Sequence, residues 1–180
     1  MGAPRFPVRT RRLELRPFTP GDAVAMHRVY ADPDVMRYVG RGPVRDMTAT
    51  AAMLEAYAEH QRRHGFSCWA VLERGGDEPI GDAGLFLAGG IGPDVELGYT
   101  LGLPWWGRGY ATEASEACLR VAAALEITRI IAMTDPGNVA SQHVLEKLGL
   151  RADGTRMAYG REHVLYRLDP PPVTAGGQVA

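Results

Sequence analysis

The sequence predicts an α+β fold: a mixed, mostly antiparallel sheet with helices on both of its faces. Two pairs of apolar runs joined by turn sequences read as hairpins, and around them lie segments whose apolar residues recur at helical spacing. A chain of 180 residues is the size of one ordinary domain, able to bury well over half of its unfolded surface in a single core.

Leu13 and Leu15 alternate with Glu14 and Arg16 ahead of Pro17 and Phe18, the pattern of a short opening strand with one buried face. Thr19-Pro20-Gly21-Asp22 turns the chain into a helix that runs to about Tyr30, and Asp32, with Pro33 at the first helical position, caps a second short helix through Tyr38. Gly40 to Pro43 is a loop. Thr48 is expected to cap a longer helix with the apolar stripe Met53, Leu54, Tyr57 and Ala58, stopped by Gly65. Phe66 to Glu73 is apolar on both faces, Gly75-Gly76-Asp77 is a turn, and Ile80 to Leu87 returns toward Gly89-Gly90, so the pair reads as a hairpin. Val95 to Leu103 is a further strand. Ala114, Cys118, Val121, Ala122 and Leu125 share one face of a helix over Thr112 to Glu126. Arg129 to Thr134 is a strand, Asp135-Pro136-Gly137 a turn, and Val139 to Leu148 a helix stopped by Gly149. Leu150 to Met157 and Glu162 to Leu168 flank a turn at Tyr159-Gly160-Arg161. Neither a repeat nor a second domain is visible, so residues 1–168 are expected to form one domain and the Pro- and Gly-rich residues 169–180 a disordered tail.

A formal charge of -1 with 46% hydrophobic and 23% charged residues is that of a globular protein, not a disordered or membrane one. Arg5, Arg9, Arg11, Arg12 and Arg16 make the start basic, but no apolar run of signal-peptide length accompanies them, so export is not expected. No aromatic-interleaved basic stripe marks a nucleic-acid surface. Cys68 and Cys118 form no CxxC pair and read as buried thiols, which leaves a cytoplasmic location as the default. His60 and His64 stand at i, i+4, but Gln61 follows His60 where a metalloprotease carries Glu; a solvated helix face and no metal are expected. If the chain self-associates, a homodimer is the reasonable prior.

Leu101 to Ala114 runs as a strand end, a glycine loop and a helix start. Unpaired N–H groups and the positive dipole end make a helix N-terminus a phosphate site, and Gly107 and Gly109 let a pyrophosphate approach without a side chain intervening. The Gly-Lys-Ser/Thr ending of a Walker A loop is absent, and Thr112 stands where a dinucleotide fingerprint wants Gly or Ala.

Trp106-Gly107-Arg108-Gly109-Tyr110-Ala111-Thr112-Glu113-Ala114 resembles the acetyl-CoA pyrophosphate loop of the GNAT acyltransferases. Arg16-Pro17-Phe18, Val95-Glu96-Leu97-Gly98-Tyr99 and Asn138 through Leu150 are similar to the subgroup that contains the ribosomal-protein N-terminal acetyltransferases. The resemblance implies the GNAT fold, with two adjacent parallel strands, Val95 to Leu103 and Arg129 to Thr134, splaying to admit pantetheine. It implies backbone pairing of the cofactor near Leu101 and Leu103, a pyrophosphate site over Trp106, Gly107, Arg108, Gly109, Tyr110, Ala111 and Thr112, and a cofactor contact from Asn138. An Asn before an apolar-periodic helix is also a good N-cap, and a loop arginine such as Arg108 is often simply solvated.

Acetyl transfer to an amine needs a neutral amine, stabilisation of an oxyanion and protonation of the leaving thiolate. Glu96 lies among apolar neighbours on the strand expected to line the cleft, where burial would raise its pKa toward that of a useful base; its other reading is a strand glutamate facing solvent or pairing with an arginine. Many family members supply the acid from a tyrosine on the helix after the Asn, and Leu145 stands in that place. Ser141, one turn after Asn138, can donate its hydroxyl to the sulfur instead, or merely complete the first helical turn. The expected activity is an acetyl-CoA-dependent N-acetyltransferase acting on a peptide N-terminus or a small-molecule amine; the competing expectation is a non-catalytic acetyl-CoA sensor.

Overall fold

The computed structural model of the protein describes residues 4–90 and 92–168; residues 169–180, expected to form a disordered tail, lie outside the described residues. Eight strands build one sheet: β1 (Val8–Arg9), β2 (Leu13–Arg16), β3 (Cys68–Glu73), β4 (Gly81–Leu87), β5 (Val95–Leu101), β6 (Ile130–Thr134), β7 (Leu150–Ala158) and β8 (Arg161–Leu168). Their spatial order is β1-β2-β3-β4-β5-β6-β8-β7. Every neighbouring pair is antiparallel except β5 and β6, which are parallel. The helices are α1 (Ala23–Tyr30), α2 (Pro33–Met36), α3 (Met47–His64), α4 (Tyr110–Ala124) and α5 (Val139–Lys147).

β3 reveals why both faces must be covered. Trp69 and Val71 pack with Leu13, Leu15, Leu85, Leu97 and the α4 residues Ala114, Cys118 and Val121. Ala70 and Leu72, pointing the other way, pack with Phe18, which follows β2, and with Met26, Val29, Tyr30, Val35 and Leu54 from α1, α2 and α3. The run that is apolar on both faces in the sequence is therefore a strand buried on both faces.

Local chemistry sets the element ends. Asp32 caps α2, its side chain accepting from the N–H groups of Asp34 and Val35. The cap of α3 is Asp46 and not Thr48: Asp46 is extended and accepts from the Ala49 N–H at 2.9 Å, and the helix is already under way at Met47. Gly65 ends α3 in the left-handed region, as its position predicts. The last hairpin turns on Tyr159 and Gly160, with φ of 53° and 84°, the pair of positive angles that a type I′ turn requires. β1 escapes prediction because two residues within an arginine-rich stretch carry no period.

Midway along the sheet Gly84 pairs with Cys68 on one side and Gly98 on the other. A Cβ at Gly84 would stand 2.2 Å from the Ser67 carbonyl oxygen and 2.3 Å from Cys68 Cα, so β3 and β4 would have to part. Gly84→Ala is expected to destabilise the protein by about 1–3 kcal/mol, the usual range for overpacking, read as a lower urea midpoint at unchanged slope. An unchanged midpoint would show that the strands separate freely there.

Candidate active site

β5 and β6 pair only through Val95 with Ile130 and Glu96 with Ile131. Beyond that point the parallel strands diverge, and Leu97 to Leu101 have a ladder partner on the β4 side alone. The gap opens into a cavity of about 530 Å³. Its β6–α5 wall carries Ala132, Met133, Thr134, Asn138, Ser141 and Leu145, while Met36, Tyr38, Val44, Met53 and Tyr57 from the α2–α3 region close the opposite side. Glu96, Tyr99, Asp82, Phe86, Tyr159 and His163 complete the lining.

Glu96 is 6% exposed and makes no hydrogen bond or close ion pair among the described residues. Burial pushes its carboxyl up to about 7, and Arg156 draws it back only in part. Across the gap, the Asn138 side chain accepts from the Ser141 N–H at 3.1 Å and so caps α5. The hydroxyls of Tyr99 and Ser141 lie 2.8 Å apart, joining β5 to α5 where the ladder has ended. Burial raises the Tyr99 pKa to about 12, so the phenol keeps its proton. A phenol is the more acidic hydroxyl and the better donor of the two, which leaves the Ser141 O–H free to point elsewhere.

A separate feature lies past the other end of β5. After a short 3-10 turn at Leu103–Trp105, the chain runs through Gly107 and Gly109, with φ of 72° and 76°, into α4. No side chain caps α4. Glu73 at the end of β3 holds both flanks of this loop, accepting from Trp105 Nε1 at 3.1 Å and from the Tyr110 hydroxyl at 2.6 Å. Arg12 donates to the Arg108 carbonyl, stacks over the Tyr110 ring and pairs with Glu113 at 2.7 Å. Loop and helix start are thus fixed from outside while the N–H groups of residues 107–112 stay uncommitted, a cradle that fits an anionic phosphate group.

Of the sequence-predicted site residues, Glu96, Asn138 and Ser141 come together at the cavity. Leu101, Leu103, Trp106, Gly107, Arg108, Gly109, Tyr110, Ala111 and Thr112 lie toward the α4 end and do not line it. The Leu101 carbonyl accepts from Trp106 Nε1 at 2.6 Å, and Arg108 is exposed. Asp82, Tyr159 and His163 carry no role in the sequence reading, where Tyr99 figures only as a residue that shapes the cleft or belongs to the core; nothing local distinguishes Asp82, between Gly81 and Ala83, from any strand aspartate. His60 is not on a solvated face: its Nδ1 donates to the Phe66 carbonyl and its Nε2 accepts from the Leu87 N–H, which links α3 to the segment entering β3 and to β4. Among the described residues no group of three His, Cys, Asp or Glu could hold a metal, and no helix is long and apolar enough to cross a membrane.

The acetyltransferase (GNAT) domain model matches residues 12–151. The chain belongs to the GNAT acetyltransferases. It is 27% identical over 151 residues to the N-acetyltransferase p20 of Bacillus licheniformis, covering 83% of this chain and 85% of that protein. The GNAT acetyltransferase of Bacillus anthracis superposes with a TM-score of 0.77 at 25% identity, covering 89% of this chain and 96% of that one. Mycobacterium smegmatis RimJ, solved in complex with CoA-disulfide, shares the fold with a TM-score of 0.72 at 22% identity over 87% of this chain and 81% of its own. Against the family pattern, this GNAT chain departs at Leu145, which is 1% exposed and part of the core.

The raised Glu96 pKa has a measurable sign. Between the ordinary value of 4.5 and about 7 the folded protein keeps a proton that the unfolded chain has released, so stability falls as pH rises through that window and is level above it. Glu96→Gln removes this contribution. Its stability relative to wild type is expected to grow across the window, measured by urea unfolding at about pH 4, 6 and 8; parallel pH profiles for the two proteins would show that the carboxyl is not titrating in that range.

Proposed function

We propose that this GNAT domain, residues 1–168, transfers the acetyl group of acetyl-CoA to a primary amine, a peptide N-terminus or a small molecule. What carries the reading is Glu96: a buried carboxyl with no hydrogen bond or close ion pair among the described residues, on the wall of a cavity opened by diverging parallel strands. Such a group has the pKa of a base for neutral pH.

Acetyl-CoA, when bound, supplies the thioester whose C–S bond breaks as the new C–N bond forms. The first-turn N–H groups of Tyr110, Ala111 and Thr112, with Gly107 and Gly109, hold the pyrophosphate, Trp106 flanks it and Arg108 adds a charge-assisted donor. The unpaired edge of β5 near Leu101, continued by Leu103, offers backbone partners to the pantetheine amides. The Leu101 carbonyl has a second lone pair beside the one given to Trp106. Asn138 reaches the cofactor from the head of α5. Glu96 takes a proton from the attacking amine, directly or through a water. The Ser141 hydroxyl donates to the departing sulfur, and the Tyr99 phenol donates in turn to Ser141 Oγ and orients it. That RimJ, with the same fold, was solved with CoA-disulfide supports this cofactor class.

The test is thiol release from acetyl-CoA across a panel of amines and short peptides differing in their first residue. Acceptor-dependent release is expected, with kcat/KM rising through about 7 as Glu96 loses its proton. Glu96→Gln should lower kcat by about 10²–10⁴-fold with acetyl-CoA binding intact, and Ser141→Ala and Tyr99→Phe by less. The core residue Leu145 in place of a tyrosine acid favours one rival, the non-catalytic sensor. Silence across the panel together with acetyl-CoA binding by calorimetry would select it.

A further inference from the structure

Asp82 is a second carboxyl on the cavity wall that the proposed reaction does not use. It is 4% exposed, it accepts from the Tyr30 hydroxyl at 2.8 Å and from the Thr100 side chain, and it has no ion pair among the described residues. Two neutral donors leave part of its acceptor capacity unfilled, since a carboxylate has about four lone-pair sites. A carboxyl this deep without a cation is costly when ionised, and burial accordingly pushes it up to about 7. A ligand cation would supply the missing partner.

Sheet register places Asp82 relative to Glu96. On the face covered by α1 to α3, Asp82 pairs laterally with Ala70 and Thr100, and Phe86 pairs with Glu96. Between these rows lies one of small residues, Cys68, Gly84 and Gly98. Asp82 and Phe86 are four residues apart on β4, which at the rise of an extended strand is roughly 13 Å between the rows. The cavity therefore has a carboxyl at each end, a floor without large side chains between them save the ring of Phe86 leaning over Gly98, and a cover of Val44, Met53 and Tyr57.

We infer that the acceptor is an α,ω-diamine: one amine reacts beside Glu96 while the distal ammonium is held by Asp82, and the methylene linker lies along the small-residue floor. The reacting end rests on the transferase reading, and the Asp82 end does not. A monoamine of the same length would put a methyl group against a buried carboxyl and leave it unpaired, the situation in which a site built for a polar group rejects the analogue that lacks it. A peptide N-terminus of ordinary sequence offers no second cation at that reach.

The experiment compares KM for the diamines from diaminopropane to diaminooctane with KM for n-alkyl monoamines of matching length, in wild type and in Asp82→Asn. Asn keeps an oxygen for Tyr30 and is near-isosteric, but gives no charge. A diamine of intermediate length is expected to have a KM at least about tenfold below that of its monoamine, and the ratio should collapse toward one in Asp82→Asn. Equal KM values for diamines and monoamines at every length, or a ratio that survives Asp82→Asn, overturns the inference. If Asp82→Asn does not fold, the wild-type ratio and its dependence on linker length decide. If wild type releases no thiol with any amine, the transferase reading fails separately, and calorimetry of diamine binding judges Asp82: heat lost in Asp82→Asn supports the site, and equal heat in both proteins removes it.

Discussion

From Leu97 to Leu101 the central strand has a hydrogen-bonded neighbour on one side only. Backbone N–H and C=O groups are obligatory partners, and leaving a row of them unpaired within a fold is expensive unless something occupies the gap. The rest of the protein is arranged around keeping that gap open. Pairing at Val95 and Glu96 fixes β5 and β6 at one end. α5 follows β6 directly, so its first turn stands where the ladder would have continued, and the contact between Tyr99 and Ser141 holds β5 against the helix instead of against a strand. Asn138 caps α5 and so fixes the first turn that makes this contact. Glu73 does the corresponding work at the other end, tying Trp105 and Tyr110 so that the loop between them cannot fold into the gap.

Three carboxyls among the described residues are buried to nearly the same degree, and what distinguishes them is company. Asp22, 4% exposed, takes both terminal nitrogens of Arg16, at 2.7 and 2.8 Å, together with the Thr19 N–H and hydroxyl. Although burial alone would raise it, these partners together hold its pKa below the ordinary value. Asp82 and Glu96 are as deep and are both pushed up to about 7, because Asp82 has no arginine beside it and Arg156 draws Glu96 back only in part. Ionised Asp22 stabilises the join between β2 and α1. The other two weaken the fold as they ionise, which is what linkage requires of a group whose folded pKa lies above its unfolded one. The cavity wall is thus less stable than it could be, in the way expected of a surface kept ready for a ligand.

The hairpin of β3 and β4, the buried stripe of α4 and the stops at Gly65 and Gly149 were legible because each is written as a period or a punctuating residue within a few positions. Errors cluster where two residues offer the same local chemistry or where the partner is remote. Asp46 and Thr48 are both cap types, and only the backbone angles decide between them. His60 looks idle on its own helix, yet its ring nitrogens meet Phe66, just ahead of β3, and Leu87 of β4, partners that helical spacing cannot reveal. The site divides the same way. Glu96 and the phosphate-loop glycines can be found from pattern and family likeness, whereas the tie from Tyr99 to Ser141 spans 42 residues and that from Tyr30 to Asp82 spans 52. Periodicity reports the face a side chain occupies; it does not report what meets it there.

Leu145 is the place where family likeness and physics part. Its side chain belongs to the main core, so the helix position that would present a tyrosine to the cavity presents packing instead. A phenol still reaches that wall, brought by β5 as Tyr99 rather than by α5. The change of element changes what it can do. Held protonated with a pKa near 12 and engaged with Ser141, Tyr99 is a poor source of a whole proton at neutral pH but a good donor of a hydrogen bond. In the proposed reaction the sulfur would then leave as a stabilised thiolate and acquire its proton afterwards. Departure is feasible on those terms because a thiolate, unlike an amide nitrogen, is a tolerable leaving group close to neutrality. On that account the wall needs a fixed dipole more than a strong acid, and a serine held in place by a strand tyrosine provides one.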